Sequence, residues 1–214
     1  MFLIYLIHFL SFLSLSLYAS RYMEKEAFYK MRFFIYYLFF MFSIDVGALI
    51  LLKYNVVNSF LYNMLSLVEF NLLFCFYRSV SKNDLTKSAS KINSIIYNLI
   101  FIGTSVYIGF GIFSNIYNNL APLFGAFQIS IVLILFLREF LISEEILSYK
   151  KNVLFWITVG LFLYYLGTLP LTGILSYMKK NDSFQFLYHI QKLLTISMHA
   201  CFIIGYLWSW NRVK

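Results

Sequence analysis

Seven apolar runs, each about as long as a bilayer-crossing helix, follow one another along this 214-residue chain, and nothing else limits its fold as strongly. A hydrocarbon core of about 30 Å takes roughly 20 helical residues to cross. Only helices and closed barrels satisfy their own backbone polar groups in lipid. The runs are Phe2–Ala19, Phe33–Leu52, Ser59–Tyr77, Ser94–Phe113, Ala121–Phe136, Val153–Leu175 and Phe184–Trp208. They predict an all-α polytopic membrane protein with seven transmembrane helices, organised as a single transmembrane domain over residues 1–214.

Composition agrees. Hydrophobic residues make up 61% of the chain and charged residues 12%, against about 25% charged in an ordinary soluble domain. So few charges cannot clothe a water-facing surface, and most of the surface must meet the lipid bilayer. The abundant Phe, Tyr and Ile side chains are those that lipid-facing helices and interfacial belts use, so they are read as membrane residues rather than as a cofactor box. Cys75 and Cys201 lie inside apolar runs and have neither metal-site nor disulfide spacing.

The net charge of +8 is a topology signal, and no nucleic-acid partner is expected from it. The first, third and fifth loops and the C-terminal tail hold thirteen of the seventeen Lys and Arg residues, among them Arg21, Lys30, Arg78, Lys87, Lys91, Arg138 and Lys150. The other three loops hold only Lys53, Lys179 and Lys180. Lysine and arginine are retained on the cytoplasmic side, so the N-terminus is expected outside and the C-terminus in the cytoplasm. The first run lacks the positive residues that open a signal peptide and is expected to be a retained helix. The location predicted is a bacterial inner membrane, multi-pass.

An internal repeat accompanies this plan. When Phe60-Leu61-Tyr62 is set above Phe186-Leu187-Tyr188, six of seventeen positions to Phe76 are identical, Cys75 meeting Cys201. The chain then reads as parallel repeats over residues 1–80 and 121–210 joined by a linker helix at 94–113. This three-plus-one-plus-three arrangement is one that transporters use.

Ionisable side chains at mid-bilayer cost about 2.5–3.5 kcal/mol on insertion scales, so each one asks for a reason. Asp45, Glu69 and Lys192 are the clear cases, with His8, His189, His199, Asn63, Asn71 and Gln128 beside them. At 100° per residue, Asn63, Ser66 and Glu69 share one helix face, as do His189, Lys192, Thr195 and His199. In parallel helices Glu69 and Lys192 differ in depth by about 4.5 Å, so an ion pair between them is feasible. The candidate ligand-binding cluster is therefore Asp45, Asn63, Glu69, His189 and Lys192. Pro170 in the sixth run removes a backbone hydrogen bond and is expected to bend that helix, as a hinge.

No catalytic residue, metal site or cofactor is read from the sequence. There is no H-E-x-x-H pattern, Gly-rich phosphate loop or G-x-S-x-G elbow, and an enzyme is not expected.

The stretch Asn58–Phe76, with Tyr62-Asn63 and Glu69-Phe70, resembles a group of small uncharacterised seven-helix bacterial integral membrane proteins. So does the stretch from Phe155-Trp156-Ile157 through Gly160-Leu161-Phe162 to Pro170. The resemblance covers most of the chain. Similar bundles serve as membrane sensors ahead of signalling domains, which implies sensing through a separate partner. Size and helix count are also similar to sugar facilitators built of two three-helix repeats, although their Pro-Gln pairs are missing. Two functions follow as expectations. One is a small-solute transporter or facilitator with a small-molecule ligand in the polar cluster. The other is a sensor or accessory protein of a stress or defence system, with a protein partner on the cytoplasmic side.

Overall fold

The computed structural model describes residues 2–22, 26–108, 116–177 and 185–209. Among them there are helices and no strand. In order they are α1 (Phe2–Tyr22), α2 (Glu26–Lys53), α3 (Ser59–Val80), α4 (Asp84–Tyr107) and α5 (Leu120–Ile142). A 3-10 segment (Glu144–Lys151) follows, then α6 (Val153–Tyr177) and α7 (Gln185–Ser209). Every predicted run is a helix over its described residues. Six of them, all but α4, are long and apolar enough to cross a membrane, and the chain has the build of a multi-pass helical membrane protein.

Several boundaries differ from the hydropathy reading, α2 starting at Glu26 rather than Phe33. Helix α5 continues to Ile142 and takes in Arg138 and Glu139. Helix α4 begins at Asp84, ten residues before the predicted start, and residues 109–113 of the predicted run lie outside the described residues. The early start has a local cause. The Asn83 side chain accepts a hydrogen bond from the Leu85 amide at 2.9 Å, an N-cap that satisfies one of the free donors of the first turn. The Ser81 amide closes α3 on Tyr77 O at 3.0 Å. Only residues 81–83 are left as a turn, so Lys87 and Lys91 stand on α4 rather than in a loop.

The chain divides into two compact units. One consists of residues 22–129 and the other of residues 1–21 with 130–214.

In the unit of residues 22–129, α2 packs on α3 and α3 on α4. Asn55, in the left-handed region at φ 57°, turns the chain between α2 and α3; asparagine is among the few residues that take this conformation readily. Phe34 of α2 meets Phe76 of α3 with ring centroids 5.4 Å apart. Helices α3 and α4 form an antiparallel hairpin joined by polar side chains along its length. Ser66 bonds Tyr97 at 2.8 Å. Asn71 and Asn98 exchange amide bonds of 3.1 and 2.8 Å, and Ser94 donates to Asn71 Oδ1 at 3.0 Å.

In the other unit α6 and α7 pack closely, because three glycines face bulky neighbours. A Cβ on Gly160 would lie 2.9 Å from Cys201 Cβ, one on Gly167 2.9 Å from Leu194 Cδ1, and one on Gly205 2.5 Å from Trp156 Cβ. Small residues let membrane helices approach where there is no hydrophobic drive between them. Helix α1 lies parallel to α7. Ser14 Oγ meets His199 Nδ1 at 3.1 Å, and Tyr18 OH donates to Phe202 O at 3.0 Å. Arg21 then donates to Tyr206 O at 3.2 Å, Ser209 Oγ at 2.8 Å and Ser209 O at 2.7 Å. An arginine at the end of α7 satisfies carbonyls that the helix itself leaves open. Pro170 sits exposed inside α6, which is helical on both sides of it.

Candidate functional site

Asp45, Asn63 and Glu69 all belong to the unit of residues 22–129. Helix α3 carries Tyr62, Asn63, Ser66 and Glu69 on successive turns, and the segment 116–118 comes in beside its first turns. Asn63 holds that segment by both ends of its amide. Its Nδ2 donates to Ile116 O at 3.0 Å, and its Oδ1 accepts from the Asn118 amide at 2.9 Å. Asn118 in turn accepts from the Ala121 amide at 3.2 Å, capping α5, and donates to Thr104 Oγ1 of α4 at 2.9 Å. The start of α3, the end of α4 and the start of α5 are thus tied at one level.

The clamp fixes Tyr117 against Tyr62, the rings edge to face with centroids 6.4 Å apart. Asp45 of α2, half-buried, lies close enough to Tyr62 for its charge to act on the phenol. Glu69, only 9% exposed, stands in the same relation to Tyr97 and Tyr117. Burial first, then the Glu69 carboxylate and Tyr62, push the Tyr117 phenol up to about 12, so Tyr117 offers a proton donor at any ordinary pH. Tyr97 is fully buried among Phe70, Phe74 and Phe101. Its hydroxyl donates to Ser66 O at 2.8 Å.

The assembly combines two carboxylates, three phenols and two carboxamides inside one helical unit. Such a set can accept hydrogen bonds from, and place aromatic faces against, a small polar solute. Among the described residues no group of three or more His, Cys, Asp or Glu side chains is placed to hold a metal ion.

His189 and Lys192 lie on α7 in the other unit. His189 is exposed and Lys192 half-buried. Glu69 and Lys192 therefore fall in different units, and Pro170 lies with Lys192. Sequence reasoning did not single out Tyr97, Tyr117 or Asn118. Tyr97 was findable once α4 is phased from Asp84, since Thr86, Ser90, Tyr97 and Phe101 form its buried stripe. Asn118 is marked only by standing just before an apolar run, as a cap does.

No protein-family model, curated protein or solved structure matches this chain.

Proposed function

We propose that the chain is a seven-span bacterial inner-membrane protein, N-terminus outside, that binds and passes a small polar solute at the Asp45–Glu69 cluster. Two contacts support counting α4 as a span despite its polar first turns. It tracks the membrane-length α3 from Ser94 beside Asn71 to Thr104, which Asn118 joins to Asn63 at the far end of the hairpin. Helices α1 and α7 also run parallel, and alternate crossings make them so only when an odd number of helices separates them along the chain. The loop charges then place α1 with its N-terminal end outside.

The observation that supports a solute site is that two carboxylates lie in one unit within electrostatic reach of tyrosines, Asp45 of Tyr62 and Glu69 of Tyr97 and Tyr117. Interhelical packing already has its polar glue in the Asn71–Asn98–Ser94 and Ser66–Tyr97 bonds. Carboxylates cost more than amides in a membrane, so their presence asks for a reason beyond polar glue. The fit is to a transporter or facilitator in the sense that the parallel repeat implies. Purified protein in liposomes should take up at least one member of a panel of sugars, amino acids and amines, and Glu69→Gln or Asp45→Asn should reduce that uptake at least tenfold. Equal uptake by wild type and both variants, or none by any, refutes the reading.

One feature favours a role through a cytoplasmic partner. Arg78 at the end of α3, Lys82 in the three-residue turn and Lys91 on α4 are all exposed. Native co-purification of a second protein that is lost on exchanging these three for glutamine would support it.

A further inference from the structure

The contacts between α1 and α7 advance together along both helices, Ser14 to His199, Tyr18 to Phe202 and Arg21 to Tyr206. Carried back two turns, the register sets Ile7 and His8 level with Lys192. Lys192, Thr195, His199, Phe202 and Tyr206 form one stripe of α7, and Ser11 precedes Ser14 by a turn on α1. The groups along this stretch include one fixed cation, Lys192, and buried hydroxyl and imidazole groups that lack hydrogen-bond partners. Ser11 is 1% exposed, and its hydroxyl has no hydrogen-bond partner. Other serines and threonines in these helices return their hydroxyl to a carbonyl a turn back, as Ser16 does to Phe12, Thr158 to Leu154 and Thr195 to Gln191. Ser11 does not. Both ring nitrogens of His8 are buried without a partner. Lys192 makes no hydrogen bond or ion pair with any described residue. None of α1, α6 and α7 contains an aspartate or glutamate.

We propose that this stretch of the α1–α7 seam binds one small monovalent anion, a halide or a short carboxylate, between Lys192 and the donors of Ser11 and His8. Lys192 is the single formal positive charge on this stretch of the seam and calls for a single negative one, and an anion accepts the hydrogens that these side chains offer. A cation would meet the Lys192 charge with no carboxylate on these helices to offset it. The inference does not rest on solute passage at Asp45 and Glu69.

The test is thermal unfolding of the full-length protein in detergent, with sodium chloride or sodium formate exchanged against sodium gluconate at constant ionic strength. A ligand that binds only the folded state raises apparent stability saturably. The expected result is a saturable rise in midpoint with chloride or with formate, the stronger of the two identifying halide or carboxylate. Lys192→Met and Ser11→Ala should each raise the half-saturating concentration, by about tenfold or more for the loss of the charged donor. Lys192→Arg should keep the response, and Glu69→Gln should leave it unchanged. The last result also separates this site from the solute cluster, whose failure in liposomes would not move it. A flat wild-type response to both anions overturns the proposal. So does a response unaltered in both Lys192→Met and Ser11→Ala, or one that emerges only in Glu69→Gln, which would make that carboxylate the counter-ion of Lys192. Should Lys192→Met fail to fold, Ser11→Ala and Lys192→Arg decide the matter.

Discussion

Replacing glycine by alanine should have opposite consequences at different points of this bundle, and the contacts say where. At Gly205 the added Cβ would stand 2.5 Å from Trp156 Cβ and 3.2 Å from its Cγ. Carbon atoms rest at about 3.5–4.0 Å, so α6 and α7 must part locally by about 1 Å. Side-chain rotation gives no relief, because the atom struck is the first of the Trp156 side chain and moves only with its helix. Trp156 is further held by Trp208, with ring centroids 5.0 Å apart, and by its bond to Lys150 O at 3.1 Å. Overpacking of this kind costs about 1–3 kcal/mol. A contact this short, with no side-chain rotation to relieve it, belongs in the upper part of that range, and the better helical propensity of alanine returns at most about 1 kcal/mol, leaving a net loss of about 1–2 kcal/mol. Gly160 should behave likewise, since its Cβ would meet Cys201 Cβ at 2.9 Å and the Met198 carbonyl at 3.0 Å. At Gly103 and Gly173 nothing lies within 4 Å, so only the propensity gain remains and stability should hold or rise by up to about 1 kcal/mol. Tryptophan fluorescence during unfolding in mixed micelles reads all four variants, with the Trp156–Trp208 pair as reporter. Gly205→Ala matching or exceeding the wild type would refute the reasoning. So would a loss at Gly103 equal to that at Gly205, because the cost would then not come from the contact.

Three further outcomes are expected. Arg21→Gln removes the charged donors from Tyr206 O and Ser209 and should destabilise by about 2–3 kcal/mol, with faster amide exchange in the unit of α1, α6 and α7; unchanged unfolding would show the clamp to be idle. Asn63→Ala leaves the Asn118 amide, in a residue 4% exposed, without its acceptor and should cost about 2 kcal/mol, visible as lost exchange protection at Asn118 itself. Tyr117 is protonated in the folded protein up to about pH 12, whereas the unfolded phenol ionises near the ordinary tyrosine value of 10.0. The folded state therefore binds more protons across that window and stability falls as pH rises through it; Tyr117→Phe should flatten that fall, and an unchanged slope would contradict the burial of this phenol.

Hydropathy was enough to locate every helix, because lipid leaves a chain few alternatives to long apolar helices. It misplaced the start of α4 because the turns holding Asp84, Lys87 and Lys91 are polar. Capping chemistry, which marks Asn83, was the better guide there. Asp45, Asn63 and Glu69 stand out in the sequence through the cost of polar groups in a membrane; they lie in the unit of residues 22–129, and His189 and Lys192 of the same predicted cluster lie in the other. The tyrosines around them were not legible. With 18 tyrosines in the chain and an interfacial belt to account for them, nothing distinguishes Tyr97 or Tyr117 until α3 and α4 are paired. The glycines of α6 and α7 could be read as small residues, but which of them touch a neighbour depends on how those two helices are phased against each other.

The pairing of α1 with α7 also sets a schedule. Its hydrogen bonds join residues 184 to 188 positions apart, and a ribosome adding about 5–20 residues per second takes roughly 10–40 s to deliver the second partner after the first. For that interval Tyr18 and Arg21 sit without the α7 acceptors that will hold them, and Ser14, whose hydroxyl donates to Ser11 O within α1, sits without His199. Insertion machinery or lipid headgroups must serve in their place, and proteolysis during synthesis should strike the chain before α7 arrives far more readily than after.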